Sequence, residues 1–200
     1  MWPFKKKKDA PVPAKQLTLR EALERVAEIG IRTRSEITID DLLFSLEGSL
    51  DSPTDPITLL CVLGGQVERK PHQWISDNIW HSDAECIIED GDYIALAKRF
   101  AALTKGALPI SDIKDHIDLE AGEVWLAFSL RNERIKWNLE VKDDWCDPML
   151  YSNFQTLVEQ ADPDKRFFIC GLGQDSLIGY GDAKMKNALS GFAGIKFSWE

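Results

Sequence analysis

Apolar positions fall at helical spacing through the first third of the chain and give way to alternation beyond it. Leu19, Leu23, Val26 and Ala27 share one stripe behind Thr18-x-x-Glu21, the pattern in which two side chains satisfy backbone donors at a helix start. Gly30 ends that run. A second short helix fits Thr38 to Leu46, stopping at Gly48. A third has Asp55 as its cap, Pro56 in its first position and Gly64-Gly65 as its stop. From Gln73 onward the pattern is that of strands, beginning with Asn78-Ile79-Trp80-His81 and extending toward Ile87. Asp90-Gly91 then leads into a fourth helix with Tyr93, Ala97, Phe100 and Ala101 on one stripe, closed by Gly106.

Residues 110–119 read as a strand, and Val124 to Val141 as a hairpin. With Asn132-Glu133 as the turn, Leu130 faces Ile135, Phe128 faces Trp137, Leu126 faces Leu139 and Val124 faces Val141. All of these land on one face. The other face carries Trp125, Ala127 and Ser129 against Lys136, Asn138 and Glu140, so the sheet has one buried side. A four-residue loop with the same pairing is equally compatible. Asp147-Pro148 repeats the cap-plus-proline start and opens a fifth helix through Met149, Phe154, Leu157 and Val158. Asp182 to Leu189 gives a last short helix and Ile195 to Trp199 a last strand. These elements predict an α+β fold: an antiparallel sheet with helices packed mainly on one face, and a helical N-terminal third. Residues 1–16 read as a flexible basic tail and 17–200 as a single domain.

Phe167 to Gly179 tests that reading, because Gly171-x-Gly173-x-x-Ser176 follows an apolar stretch at nearly the spacing of a dinucleotide-binding loop. Such a loop needs a helix after the glycines and then a second parallel strand. Here Ser176 to Tyr180 is extended and glycine-broken, and too few residues remain. The stretch is expected to be a hairpin, Phe167–Cys170 with Leu177–Tyr180, in which Gly171 and Gly173 supply positive φ. No cofactor is expected.

Composition narrows the partner. Hydrophobic residues make up 44% of the 200, enough for a well-buried core, and the net charge is −9 although Lys5 to Lys8 form one run. The body is therefore more acidic than the whole. Such a surface repels phosphate backbones and attracts basic proteins, so a basic protein partner is expected and nucleic acid is not. Cys61, Cys86, Cys146 and Cys170 are widely spaced, with no C-x-x-C pair, and read as free structural thiols of a reducing compartment. No apolar h-region follows the lysines and no stretch reaches about 18 apolar residues, so a cytoplasmic protein without stable membrane insertion is expected. Weak peripheral membrane contact through Trp2, Phe4 and the lysines is an alternative.

Two groupings could carry chemistry. Lys142-Asp143-Asp144-Trp145-Cys146-Asp147 is the densest acidic and aromatic cluster. Asp147 is expected to serve as a helix cap, leaving Asp143, Asp144 and Trp145, with Trp125, as an interface for a lysine- or arginine-rich partner. The alternative is a metal-dependent enzyme. His81 and Asp83 would point the same way on a strand, and His116 or His72 would complete a two-histidine, one-carboxylate set. No serine sits in G-x-S-x-G and no cysteine stands in a protease context, so no catalytic residue is named and catalysis is less expected than binding.

In general character from Leu17 to Trp199, this small acidic α+β body rich in aromatics resembles bacterial immunity proteins that neutralise polymorphic or contact-dependent toxins. The resemblance carries over no site residue. It implies a protein that binds one cognate toxin domain through an acidic patch and blocks it.

Overall fold

The computed structural model describes residues 16–200. All but one residue of the expected basic tail therefore lies outside the described residues.

The first three helices begin where their capping signals stand. In α1 (Leu19–Ile29) Thr18 and Glu21 form the reciprocal capping box, and Gly30 closes the helix at φ 112°. In α2 (Ile39–Leu46) Thr38 and Asp41 form a second one. Asp55 caps α3 (Pro56–Gly64), accepting the Thr58 amide at 2.8 Å. There follow β1 (Ile79–Asp83), α4 (Asp92–Leu103), β2 (Ile110–Asp118), β3 (Glu123–Leu130), β4 (Glu133–Asn138), α5 (Met149–Ala161), β5 (Arg166–Gly171), β6 (Asp175–Gly181), α6 (Ala183–Ala193) and the two-residue β7 (Ser198–Trp199).

The strands form two antiparallel sheets, ordered β1-β6-β5-β7 and β2-β3-β4. The chain is thus an α+β fold, with its strands divided between sheets of different burial. The β5–β6 pair is apolar on both faces. Ile79, Phe168, Cys170 and Leu177 point into a core shared with α1, α2, α3 and α6. Trp80, Phe167, Ile178 and Tyr180 point into a second core with α4, α5 and the three-stranded sheet. A near-continuous apolar run such as Phe167 to Cys170 is the signature of a strand covered on both faces. The β2-β3-β4 sheet keeps the one-sided alternation expected of it, burying Val124, Leu126 and Phe128.

Aromatic rings tie the second core together. Phe154 of α5 stacks on Phe100 of α4 at 4.6 Å and meets the edge of Trp137 on β4 at 5.1 Å. Phe100 meets Phe167 of β5 edge-on at 5.3 Å and Trp80 of β1 at 5.2 Å. Helices α4 and α5 are therefore packed between the two sheets. Each such ring pair adds about 0.5–1.5 kcal/mol beyond the area it buries.

Both hairpins differ in detail from the pattern-based expectation. Gly171 lies within β5, opposite Ser176, and of the two turn glycines only Gly173 has positive φ, at 100°. In the other hairpin the turn is Arg131-Asn132, with φ 49° and 72°, so Phe128 faces Ile135 and Leu126 faces Trp137. The register is two residues from that expected for an Asn132-Glu133 turn. A two-residue shift leaves every side chain on its original face, which is why the buried and exposed sets survive it.

Candidate functional site

The acidic cluster is a backbone-fixed loop. Lys142 to Trp145 form a turn in which the Trp145 amide donates to the Lys142 carbonyl at 3.1 Å, with Asp143 at φ 58°. The loop is stitched to the segment after β1. The Asp144 carbonyl accepts the Cys86 and Ile87 amides, both at 2.9 Å, and the Cys146 amide donates to the Ala84 carbonyl at 2.8 Å. Glu85 and Trp145 thereby stand opposite one another as an isolated bridge.

Asp147 secures the far side of the loop from a buried position. Its carboxylate accepts the Glu140 amide and the Met149 amide, each at 2.8 Å, while its own amide donates to the Tyr93 hydroxyl at 3.1 Å. It joins loop, hairpin and α5, although Pro148 rather than Asp147 occupies the formal cap position of the helix. Trp145 is held 43% exposed on this frame. Among the described residues the carboxylates of Glu85, Asp143 and Asp144 have no cationic partner. The neighbouring segments present two further exposed apolar residues: Ile88 at 71%, which the sequence pattern did not single out, and Met149 at 57%, which the pattern put on the apolar stripe of the fifth helix. Ile88 lies between β1 and α4, outside any periodic run, and Met149 is the first residue of α5.

Trp125 is elsewhere. It lies on the outer face of the three-stranded sheet, with the Lys136 ammonium 4.5 Å from its ring centre and the His116 ring 5.9 Å away. Among the described residues no hydrogen bond, ion pair or ring contact joins it to the Asp143–Trp145 loop. Of the four expected interface residues, Asp143, Asp144 and Trp145 share the loop, and Trp125 stands on the sheet's outer face beside Lys136 and His116.

The alternative metal set is not brought together. His81 Nε2 lies 3.5 Å from Asp175 on β6, and Asp83 spends one oxygen on the Glu85 amide and the Gln174 side chain, each at 2.9 Å. His116 belongs to the other sheet, 3.7 Å from Asp90. His72 lies in the loop before β1, its amide donating to Gln66. Among the described residues no group of three or more histidine, cysteine or carboxylate side chains is placed to hold a metal ion.

The four cysteines are free thiols. Burial pushes Cys86 up to about 11, and burial likewise raises Cys61, Cys146 and Cys170, so none is poised as a thiolate nucleophile at neutral pH. Arg99 is the buried charge that the helical stripe did not reveal. Its guanidinium donates to the Ser76 and Ile79 carbonyls, both at 2.7 Å, and lies 4.0 Å over the Trp74 ring. Burial lowers it to about 10, still charged at neutral pH, and Asp77 bridges it to Arg34. This cluster holds the loop before β1, with Arg99 buried and Arg34 and Asp77 partly exposed.

A groove of about 660 Å³ runs between the C-terminal ends of α1 and α4 and the start of α6. Two of its carboxylates are spent locally: Asp182 caps α6 through the Met185 amide and Asp162 is paired with Lys165. No helix among the described residues is long and apolar enough to cross a membrane. No family profile, curated protein or solved structure matches the chain.

Proposed function

We propose that this protein is a non-catalytic binding module that docks a basic protein on the Asp143–Asp144–Trp145 loop and its neighbour Glu85. The observation that carries the reading is the fixed Trp145, partly exposed beside three carboxylates that have no cationic partner among the described residues, on a loop tied down by three backbone hydrogen bonds to residues 84–87. A rigid aromatic beside unpaired charge is what an interface hot spot needs: little ordering cost on binding, and a complementary charge supplied by the partner. The net charge of −9 adds long-range attraction for such a partner.

The immunity-type role follows as the specific form of this proposal: one basic toxin domain bound and neutralised. Membrane contact through the N-terminal tail rests on residues outside those described and adds nothing to the reading. The test is affinity capture from the native host at low and at physiological salt. The reading expects one strongly basic protein, retained at low salt and released as salt rises. Recovery of no protein at either salt, or of an acidic one, overturns it.

A further inference from the structure

The outer face of the three-stranded sheet is chemically unlike the rest of the molecule. Its positions are Ser111, Lys114 and His116 on β2, Trp125, Ala127 and Ser129 on β3, and Arg134, Lys136 and Asn138 on β4. These nine positions carry no carboxylate of their own, in a chain with 33 acidic and 24 basic side chains, although the Asp90 carboxylate lies 3.7 Å from His116 and Glu140 follows β4 on the same alternation. Asp118 and Glu123, paired opposite one another, close the ladder at its far end.

The cations are also arranged. Strands β2 and β4 flank β3, so the hydrogen bond from Arg134 of β4 to the Asp112 carbonyl on the β2 bulge, at 2.8 Å, carries the guanidinium across the face of β3. Lys136 leans diagonally onto the Trp125 ring from one side, and His116 stands directly opposite that ring on the other strand. The two outer strands thus bring positive or protonatable groups to a central strand holding a half-buried tryptophan. Ala127, between Lys114 and Lys136 in the ladder, is only 3% exposed. Long cationic side chains with apolar stems both cover such a surface and can slide apart to admit a ligand.

We propose that this face is a second docking surface, separate from the acidic loop, that takes a carboxylate-rich segment of a partner protein, with Trp125 as its apolar anchor. Lys114, Lys136 and Arg134 meet carboxylates, and Trp125 packs against the segment's backbone or an apolar side chain. A peptide fits better than nucleic acid. The basic strip ends at Asp118 and Glu123, so a regularly charged phosphate chain continuing along the ladder would run into them, whereas a short peptide carries its charge only where it is needed.

The experiment uses the full chain labelled with 5-fluorotryptophan, the Trp125 signal being assigned from Trp125→Phe. A ten-residue Glu/Asp-rich peptide, a Lys-rich peptide of the same length and a single-stranded oligonucleotide are titrated at low salt. The acidic peptide is expected to move the Trp125 resonance and leave the Trp145 resonance in place. The double variant Lys114→Glu, Lys136→Glu, folded by circular dichroism, is expected to bind it at least about tenfold more weakly. Asp143→Asn with Asp144→Asn is expected to bind it unchanged, so this result stands or falls apart from the acidic-loop reading. No shift at millimolar acidic peptide, equal binding by the charge-reversed variant, or tighter binding of the oligonucleotide would overturn the proposal.

Discussion

At Gly64 the end of α3 meets the backbone of β1. A Cβ there would lie 2.4 Å from the His81 amide nitrogen and 2.8 Å from the Trp80 carbonyl carbon, neither of which can step aside. Gly64→Ala is therefore expected to lose about 1–3 kcal/mol in denaturant unfolding. Gly191, exposed in α6 with nothing within 4 Å of its Cβ position, is its control: Gly191→Ala is expected to gain about 0.5–1 kcal/mol. Equal effects at the two sites would contradict the packing described. Asp41 supplies a pH signature. The Lys70 ammonium at 2.7 Å, together with the Thr38 amide and hydroxyl, holds its carboxyl well below the usual carboxylate range. Because the folded value is depressed, its contribution is complete above the unfolded value of about 3.9 and is lost as pH falls through the folded one. Unfolding free energies measured from about pH 7 to about pH 2 should show the wild type losing more stability in the acid range than Asp41→Asn.

Elements were legible where their signals were local, and illegible where another part of the chain supplied the missing group. The Thr18–Glu21 box, the Asp55-Pro56 start and the one-sided alternation of β3 and β4 each place a backbone donor or a buried face within a few residues, and each is where the pattern put it. Helix α4 has no cap of its own. The Asp115 carboxylate of β2 accepts the Gly91 amide at 2.9 Å and the Ile94 amide at 3.1 Å, a partnership across the fold that no local pattern announces. Buried Arg99 was hidden for the same reason, since its acceptors are backbone carbonyls of the loop before β1. Of the site, the sequence marked the loop residues Asp143, Asp144 and Trp145 but not the surroundings of Trp125, which depend on how β2 and β4 flank β3. The β3–β4 turn yields a prediction at this scale. Arg131 occupies a left-handed position that costs a side chain about 1–2 kcal/mol. Asn-Gly is the pair that suits a two-residue hairpin turn with both φ positive. Arg131→Asn with Asn132→Gly should raise the unfolding free energy by about 1 kcal/mol, and a loss would argue for the Asn132-Glu133 register instead.

On the scale of the whole molecule, α4 and α5 between two sheets place surfaces of opposite charge on one body. The acidic loop rests on the segment after β1, at the edge of the four-stranded sheet. The basic face is the solvent side of the three-stranded sheet. Neither is a cleft, which suits protein docking better than small-molecule chemistry. The aromatic bridge keeps the two sheets in register with each other. Removing its centre, Phe154→Ala, is expected to lower stability by about 3–5 kcal/mol, read by thermal or denaturant unfolding, and a loss below about 1 kcal/mol would contradict the packing of Phe154 between the sheets.

The most direct test of the binding account is the affinity of the captured partner for the variant carrying Asp143→Asn, Asp144→Asn and Trp145→Ala, compared with wild type by titration calorimetry. The account predicts that the variant folds normally and binds at least about thirtyfold more weakly, a loss of about 2 kcal/mol or more, with a shallower salt dependence. Unchanged affinity and unchanged salt dependence in a folded variant would contradict it.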